Sequence, residues 1–134
     1  MLVVEAHGWP LGIELFSGNH HEAGLAAPTI EQSMGYLPKP INLIGDTAYS
    51  SKPLTKKLYQ KYHIILSAVP KRRYVNFFHD GRRLRRAKRR WKIERTFAWL
   101  KYFRRLEVRW ETKAENYLGF ANLACLMLLI KHAL

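Results

Sequence analysis

The sequence predicts an α/β fold in one domain, and three observations predict it. A compact β-branched run, Ile41-Asn42-Leu43-Ile44, stops at Gly45-Asp46. A helix signal and a second apolar run follow, and strand, helix, strand in that order implies a parallel crossover. The third observation is bulk: a hydrophobic content of 48% over 134 residues exceeds that of a disordered chain, so a core is buried.

Residues 1–5 form a short apolar run, and His7-Gly8-Trp9-Pro10 supplies the turn after it. Residues 11–16 read as a second strand that ends at Ser17-Gly18-Asn19, so the pair forms an antiparallel hairpin. Residues 22–33 read as a helix, with Pro28 near its start or kinking it. After the strand at 41–44, Ser50 or Ser51 caps a helix running to about Lys61, with Pro53 tolerated in its first turn. Residues 63–69 form the next strand, which Pro70 stops. Residues 71–81 read as a loop, and residues 82–106, free of Pro and Gly, as one long helix. A connection at 107–113 leads to a final apolar helix over 115–132. No internal repeat or long linker divides the chain.

The charge balance narrows the function. There are 23 Lys and Arg against 10 Asp and Glu, a net charge of +13. Such an excess repels itself, so it signals a polyanionic partner. The lone Cys125 cannot form an internal disulfide and lies in an apolar run, which fits a small core residue in a reducing cytosol. No secretory leader is expected at the N-terminus. The most apolar segment, 123–130, is far shorter than the roughly 20 residues that span a bilayer. A membrane partner is therefore not expected, and nucleic acid is.

The basic residues are concentrated. Residues 71–105 hold 15 of the 23, and between Arg82 and Arg90 seven of nine positions are basic. Arg82, Arg83, Arg85, Arg86, Lys88 and Arg89 are thus expected to grip phosphates, with salt-sensitive binding. A merely solvated helix face would mix both signs. The patch by itself does not distinguish DNA from RNA.

Two acids stand out in this basic context. At about 100° per residue, Arg90, Glu94 and Lys101 fall on one helical line, with an apolar stripe of Ile93, Phe97 and Leu100 beside it. That spacing puts Glu94 at the edge of the buried face, with Lys88, Lys92, Arg95 and Trp99 pointing to the other side. Glu94 can equally be the partner of Arg90 in an ordinary intrahelical ion pair. Asp46 is the sole acid between Gln32 and His79, and it follows an apolar strand. The carboxyl end of a parallel strand is where α/β sheets place function, although a turn or capping aspartate also fits there. Two converging carboxylates suit Mg²⁺, a hard cation, but a two-metal phosphodiester site needs a third ligand. His20, His21 and Glu22 are read as a turn and helix start, and His79 as a loop histidine.

Gly45-Asp46-Thr47-Ala48-Tyr49 and Trp91-Lys92-Ile93-Glu94-Arg95-Thr96-Phe97-Ala98-Trp99-Leu100 resemble the DDE transposases of bacterial insertion sequences. Phe103-Arg104-Arg105-Leu106, Tyr117-Leu118-Gly119-Phe120, Leu123-Ala124-Cys125, Gly8-Trp9-Pro10-Leu11 and Gly18-Asn19-His20 are similar to that family too, so the resemblance covers nearly the whole chain. It implies a ribonuclease H-like mixed sheet flanked by helices, Mg²⁺ or Mn²⁺ as cofactor, and phosphodiester hydrolysis and strand transfer on transposon ends and target DNA. By position, Asp46 matches the second Asp and Glu94 the final Glu, making both metal ligands. Arg90 and Lys101 match the basic positions of a Tyr-x2-Arg-x3-Glu-x6-Lys signature, whose Tyr position holds Ala87.

The resemblance implies that the family's first strand with its Asp, and its N-terminal DNA-binding region, are not expected within residues 1–134. The resemblance therefore implies the C-terminal portion of such a transposase, a second-frame product or a decayed copy. It is expected to be cytoplasmic and nucleoid-associated, and inactive by itself. Its partners would be DNA and the upstream-frame portion or a second copy. The rival expectation is a non-catalytic basic DNA-binding protein, or an inhibitor of the full-length transposase.

Overall fold

The computed structural model describes residues 1–19, 22–34, 37, 39–68, 85–86 and 88–133. The elements in chain order are β1 (Leu2–Val4), β2 (Pro10–Ile13), α1 (Glu22–Met34), β3 (Ile41–Gly45), a 3₁₀ turn (Thr47–Tyr49), α2 (Lys52–Tyr62) and β4 (Ile64–Ala68). A second 3₁₀ turn (Lys88–Arg90), α3 (Trp91–Lys101), α4 (Arg104–Glu107) and α5 (Ala114–Ala133) follow. They form two compact units, Met1–Asn19 with Lys92–Leu134, and His20–Trp91.

In the first unit, β1 and β2 pair antiparallel, with Leu2 opposite Ile13 and Val3 opposite Gly12, as the turn signal predicts. The register shifts after Val3, so that Val4 faces Pro10. Pro10 is the first residue of its strand, where the missing N–H is tolerated. The core gathers Leu2, Leu100, Ala124, Cys125 and Leu128, with Val4, Ile13, Ile93, Trp99, Phe103 and Leu106 packed around them. Cys125 is buried as expected, and burial pushes its thiol pKa up.

The hairpin turn is seated on α3 by side chains. Lys92 Nζ donates to the Ala6 carbonyl, an Arg95 Nη2–H to His7, and the Thr96 hydroxyl to Gly8. Thr96 is 0% exposed. Gly8 has φ +91°, and a Cβ there would lie 3.1 Å from Arg95 Nη2 and 3.2 Å from both the Lys92 carbonyl and Thr96 Oγ1. Only glycine satisfies both the left-handed backbone and the close approach.

This seating corrects the predicted stripe on α3. Phe97 is 45% exposed, and Thr96 and Leu100 are the buried positions. Trp99 packs on the core, and Lys92 and Arg95 are spent on the hairpin, so none of the three simply faces away. The single helix over 82–106 is corrected as well. Residues 88–90 form a 3₁₀ turn, consistent with like charges at helical spacing weakening an α-helix there. The helix also breaks at Tyr102 and Phe103, whose N–H groups bond to Trp99 and Leu100 carbonyls. Phe103 is extended, at φ −83° and ψ 103°, and the chain restarts as α4. Packing of Phe103 and Leu106 on the core outweighs local helix propensity.

In the second unit, β3 and β4 pair in parallel from Ile41 opposite Ile64 to Gly45 opposite Ala68, and α2 makes the crossover, as predicted. Ser51 is the N-cap, Pro53 sits in the first turn, and His63 ends α2 at φ 53°. Leu54, Leu58 and Tyr62 form its buried face. In α1 the buried positions are Ala26, Ala27, Thr29, Ile30 and Ser33. Pro28 lies inside α1, on an exposed position, and not near its start. Tyr62 Oη donates to Glu31 Oε2 at 2.8 Å, tying α2 to α1. That bond, then the Lys61 ammonium, holds the Glu31 pKa below its ordinary value. Among the described residues the strands form two separate two-stranded sheets, not one mixed sheet. The predicted loop at 71–81, with His79, and the pair His20 and His21 lie outside the described residues.

Gly8→Ala is expected to destabilise the first unit by about 1–3 kcal/mol through backbone strain. Thr96→Val, which leaves the covered Gly8 carbonyl unmet, should cost about as much. Urea unfolding of each variant measures both.

Candidate active site

Asp46 is positioned by the end of β3. A Cβ on Gly45 would lie 3.3 Å from Tyr49 Cβ and 3.4 Å from Leu66 Cδ1, so the absent side chain lets the next turn fold back against the strand. The Asp46 carbonyl accepts from Tyr49 N–H at 3.0 Å, and its Oδ1 accepts from Thr47 N–H at 2.6 Å. Its Oδ2 faces Arg90 Nη1 at 3.5 Å, with both side chains about half exposed. The capping geometry expected of a turn aspartate is present. It caps the 3₁₀ turn with one oxygen and stands at the carboxyl end of a parallel strand with the other directed at a cation.

Glu94 belongs to the other unit. It lies two residues before buried Thr96, which turns it about 160° away on an ideal helix, and it is exposed. The expectation that it sits at the edge of the buried face is therefore wrong. Lys101, seven residues on, is also exposed and about 20° from Glu94 around the axis. It lines a pocket of about 250 Å³ with Phe97, Leu106 and Tyr117. Arg90 lies in the 3₁₀ turn before α3, so the α-helical spacing that aligned it with Glu94 does not carry through.

The structure brings Asp46 to Arg90 within one unit, and puts Glu94 and Lys101 on one helix face within the other. No group of three or more His, Cys, Asp or Glu gathers among the described residues. Of the predicted phosphate grip, Arg85, Lys88 and Arg89 are exposed and Arg86 is half-buried. Arg82, Arg83 and Ala87 lie outside the described residues.

The sequence reading missed the supports of this site. Gly45 and Tyr49 shape the turn below Asp46, and Lys92, Arg95 and Thr96 orient α3. The glycine at a strand end before an acid was the available signal for the first. For the second there was none, because the partners are more than 80 residues apart. Glu5 is a further support. Burial pushes its pKa up, but bonds from the His7 backbone and ring and from Trp9 N–H outweigh that and hold it below the ordinary value.

Residues 1–129 match the family model described as the transposase DDE domain. The chain belongs to the DDE transposase family. A protein of Burkholderia cepacia named "Putative transposase for insertion sequence element IS402" is 31% identical over 95% of this chain. The chain spans 60% of that relative's length. No solved structure matches it. No helix among the described residues is long and apolar enough to cross a membrane. Both Asp46 and Glu94, with Arg90 and Lys101, fall inside the span matched by the family model.

Because the Asp46–Arg90 pair is half exposed, Arg90→Gln should change unfolding free energy by less than about 1 kcal/mol. A larger loss in thermal or urea unfolding would show that the guanidinium supports the fold.

Proposed function

We propose that this chain is the C-terminal part of an insertion-sequence transposase's catalytic domain, in which Asp46 and Glu94 are two of the three catalytic carboxylates. The observation that carries the reading is Asp46 itself. It ends a parallel strand and directs Oδ2 at Arg90, in a chain that matches the transposase DDE domain over residues 1–129. The fold proposed for the complete domain is ribonuclease H-like, a mixed sheet flanked by helices.

The donor set suits a hard divalent cation, since both residues offer carboxylate oxygens and both are accessible to solvent. Asp46 and Glu94 would hold Mg²⁺ or Mn²⁺, which when bound activates an attacking water or 3′-hydroxyl and stabilises the leaving oxygen. Arg90 orients the Asp46 carboxylate and, when released from it, presents its guanidinium to a phosphate. Lys101, on the face of Glu94, positions a phosphate in the same way. Arg82, Arg83, Arg85, Arg86, Lys88 and Arg89 grip the backbone of transposon ends and target DNA. Asp46 and Glu94 alone are two carboxylates, and a third ligand completes such a site. The chain works in the cytoplasm at the nucleoid.

The test uses DNA cleavage by the chain combined with its upstream transposase portion. Asp46→Asn and Glu94→Gln should each lower metal-dependent cleavage by more than about 100-fold, beyond the loss of an outer-shell partner, while DNA affinity is kept. Unchanged cleavage in either variant rejects that residue as a ligand. Absence of any metal-dependent cleavage to lose would favour a non-catalytic DNA-binding or inhibitory role, for which Asp46 is already engaged structurally by Thr47 and Arg90.

A further inference from the structure

The crossover helix α2 carries charge that the catalytic reading leaves unused. Lys52, Lys56 and Tyr59 are all exposed, and their spacing of four and three residues puts them within about 60° around the axis. Leu54, Leu58 and Tyr62 are buried on the other side. Lys57 and Lys61 occupy a different flank, toward α1, where Lys61 Nζ lies 3.6 Å from Glu31 Oε2 and Lys57 contributes to lowering the Glu31 pKa. The α2 lysines thus divide into a pair facing an acid and a pair facing solvent.

We propose that the line Lys52, Lys56 and Tyr59 is a second contact surface for the DNA backbone, separate from the Arg82 to Arg89 stretch. It rests on the reading of the chain as a DNA-acting transposase. An ordinary solvated helix face mixes both signs. Here α2 has no acid at all, and between Gln32 and His79 the sole acid is Asp46. Lys52 and Lys56 stand one helical turn apart, about 6 Å along the axis, so both ammonium groups can follow one strand of phosphates. Tyr59 is 58% exposed, and a tyrosine hydroxyl is a common phosphate donor. Its ring is held edge-on by His63 at 6.5 Å. A rigid crossover helix with such a line adds affinity and register without reading sequence.

The test is the salt dependence of binding to a short DNA duplex, followed by fluorescence anisotropy on the full chain. Each phosphate contact contributes about 0.9 to the slope of log K against log salt, so the double variant Lys52→Gln/Lys56→Gln should lower the slope by about 2. The control Lys57→Gln/Lys61→Gln removes the same charge and should leave the slope as it is. All four positions are exposed, and circular dichroism verifies that both variants are folded. An equal fall for both pairs overturns the proposal, because net charge alone then explains the effect. No fall for Lys52 and Lys56, while Arg85, Arg86, Lys88 and Arg89 changed together to Gln do lower the slope, rejects this surface and keeps the DNA reading. Absence of salt-dependent binding by the unaltered chain rejects both.

Discussion

Three consecutive carbonyls of the hairpin turn, at Ala6, His7 and Gly8, are each taken by a side chain of α3: Lys92, Arg95 and Thr96. At Gly8 the carbonyl is buried away from water, so Thr96 must supply its donor, whereas Ala6 and His7 are exposed. Gly8 makes this possible, because its φ of +91° suits glycine and a Cβ would crowd the Lys92 carbonyl at 3.2 Å. Once α3 is seated this way, Leu100 is committed to the core with Leu2, Ala124 and Leu128. Glu94 is turned outward by the same constraint, with Lys101 beside it.

The other unit reaches its site by a different route. Parallel pairing of β3 with β4 fixes where β3 ends, and the bare backbone of Gly45 lets Tyr49 pack close behind it. Asp46 then has one oxygen tied to Thr47 N–H and the other directed at Arg90. A carboxylate fixed by its own turn loses little freedom when it takes a further ligand.

The large positive charge is less uniform than composition suggests. Lys92 and Arg95 act as backbone clamps, and Arg95 also lies over Trp99 at 4.8 Å. Arg105 pairs at 2.8 Å with Glu111, whose side chain is only 6% exposed, and covers Phe120. Arg109 donates to the carbonyls of Glu111 and Thr112 and lies over Tyr117. These arginines brace the connection into α5. Among the described residues, Arg85, Lys88 and Arg89 and, on α2, Lys52 and Lys56 are exposed cations.

The sequence by itself determined the elements whose causes are local. The hairpin follows from its turn residues, and the crossover from a β-branched run, a serine cap and a second apolar run. The family was legible in the block from Trp91 to Leu100, with Asp46 and Glu94 as candidate ligands. Long-range packing set the orientation of α3, the break at Tyr102 and Phe103, and the split among the lysines of α2. Helical spacing says which residues share a face, but burial is chosen by distant partners. A turn more than 80 residues away made Thr96 the buried position, and core packing of Phe103 and Leu106 ended a helix that propensity would have continued.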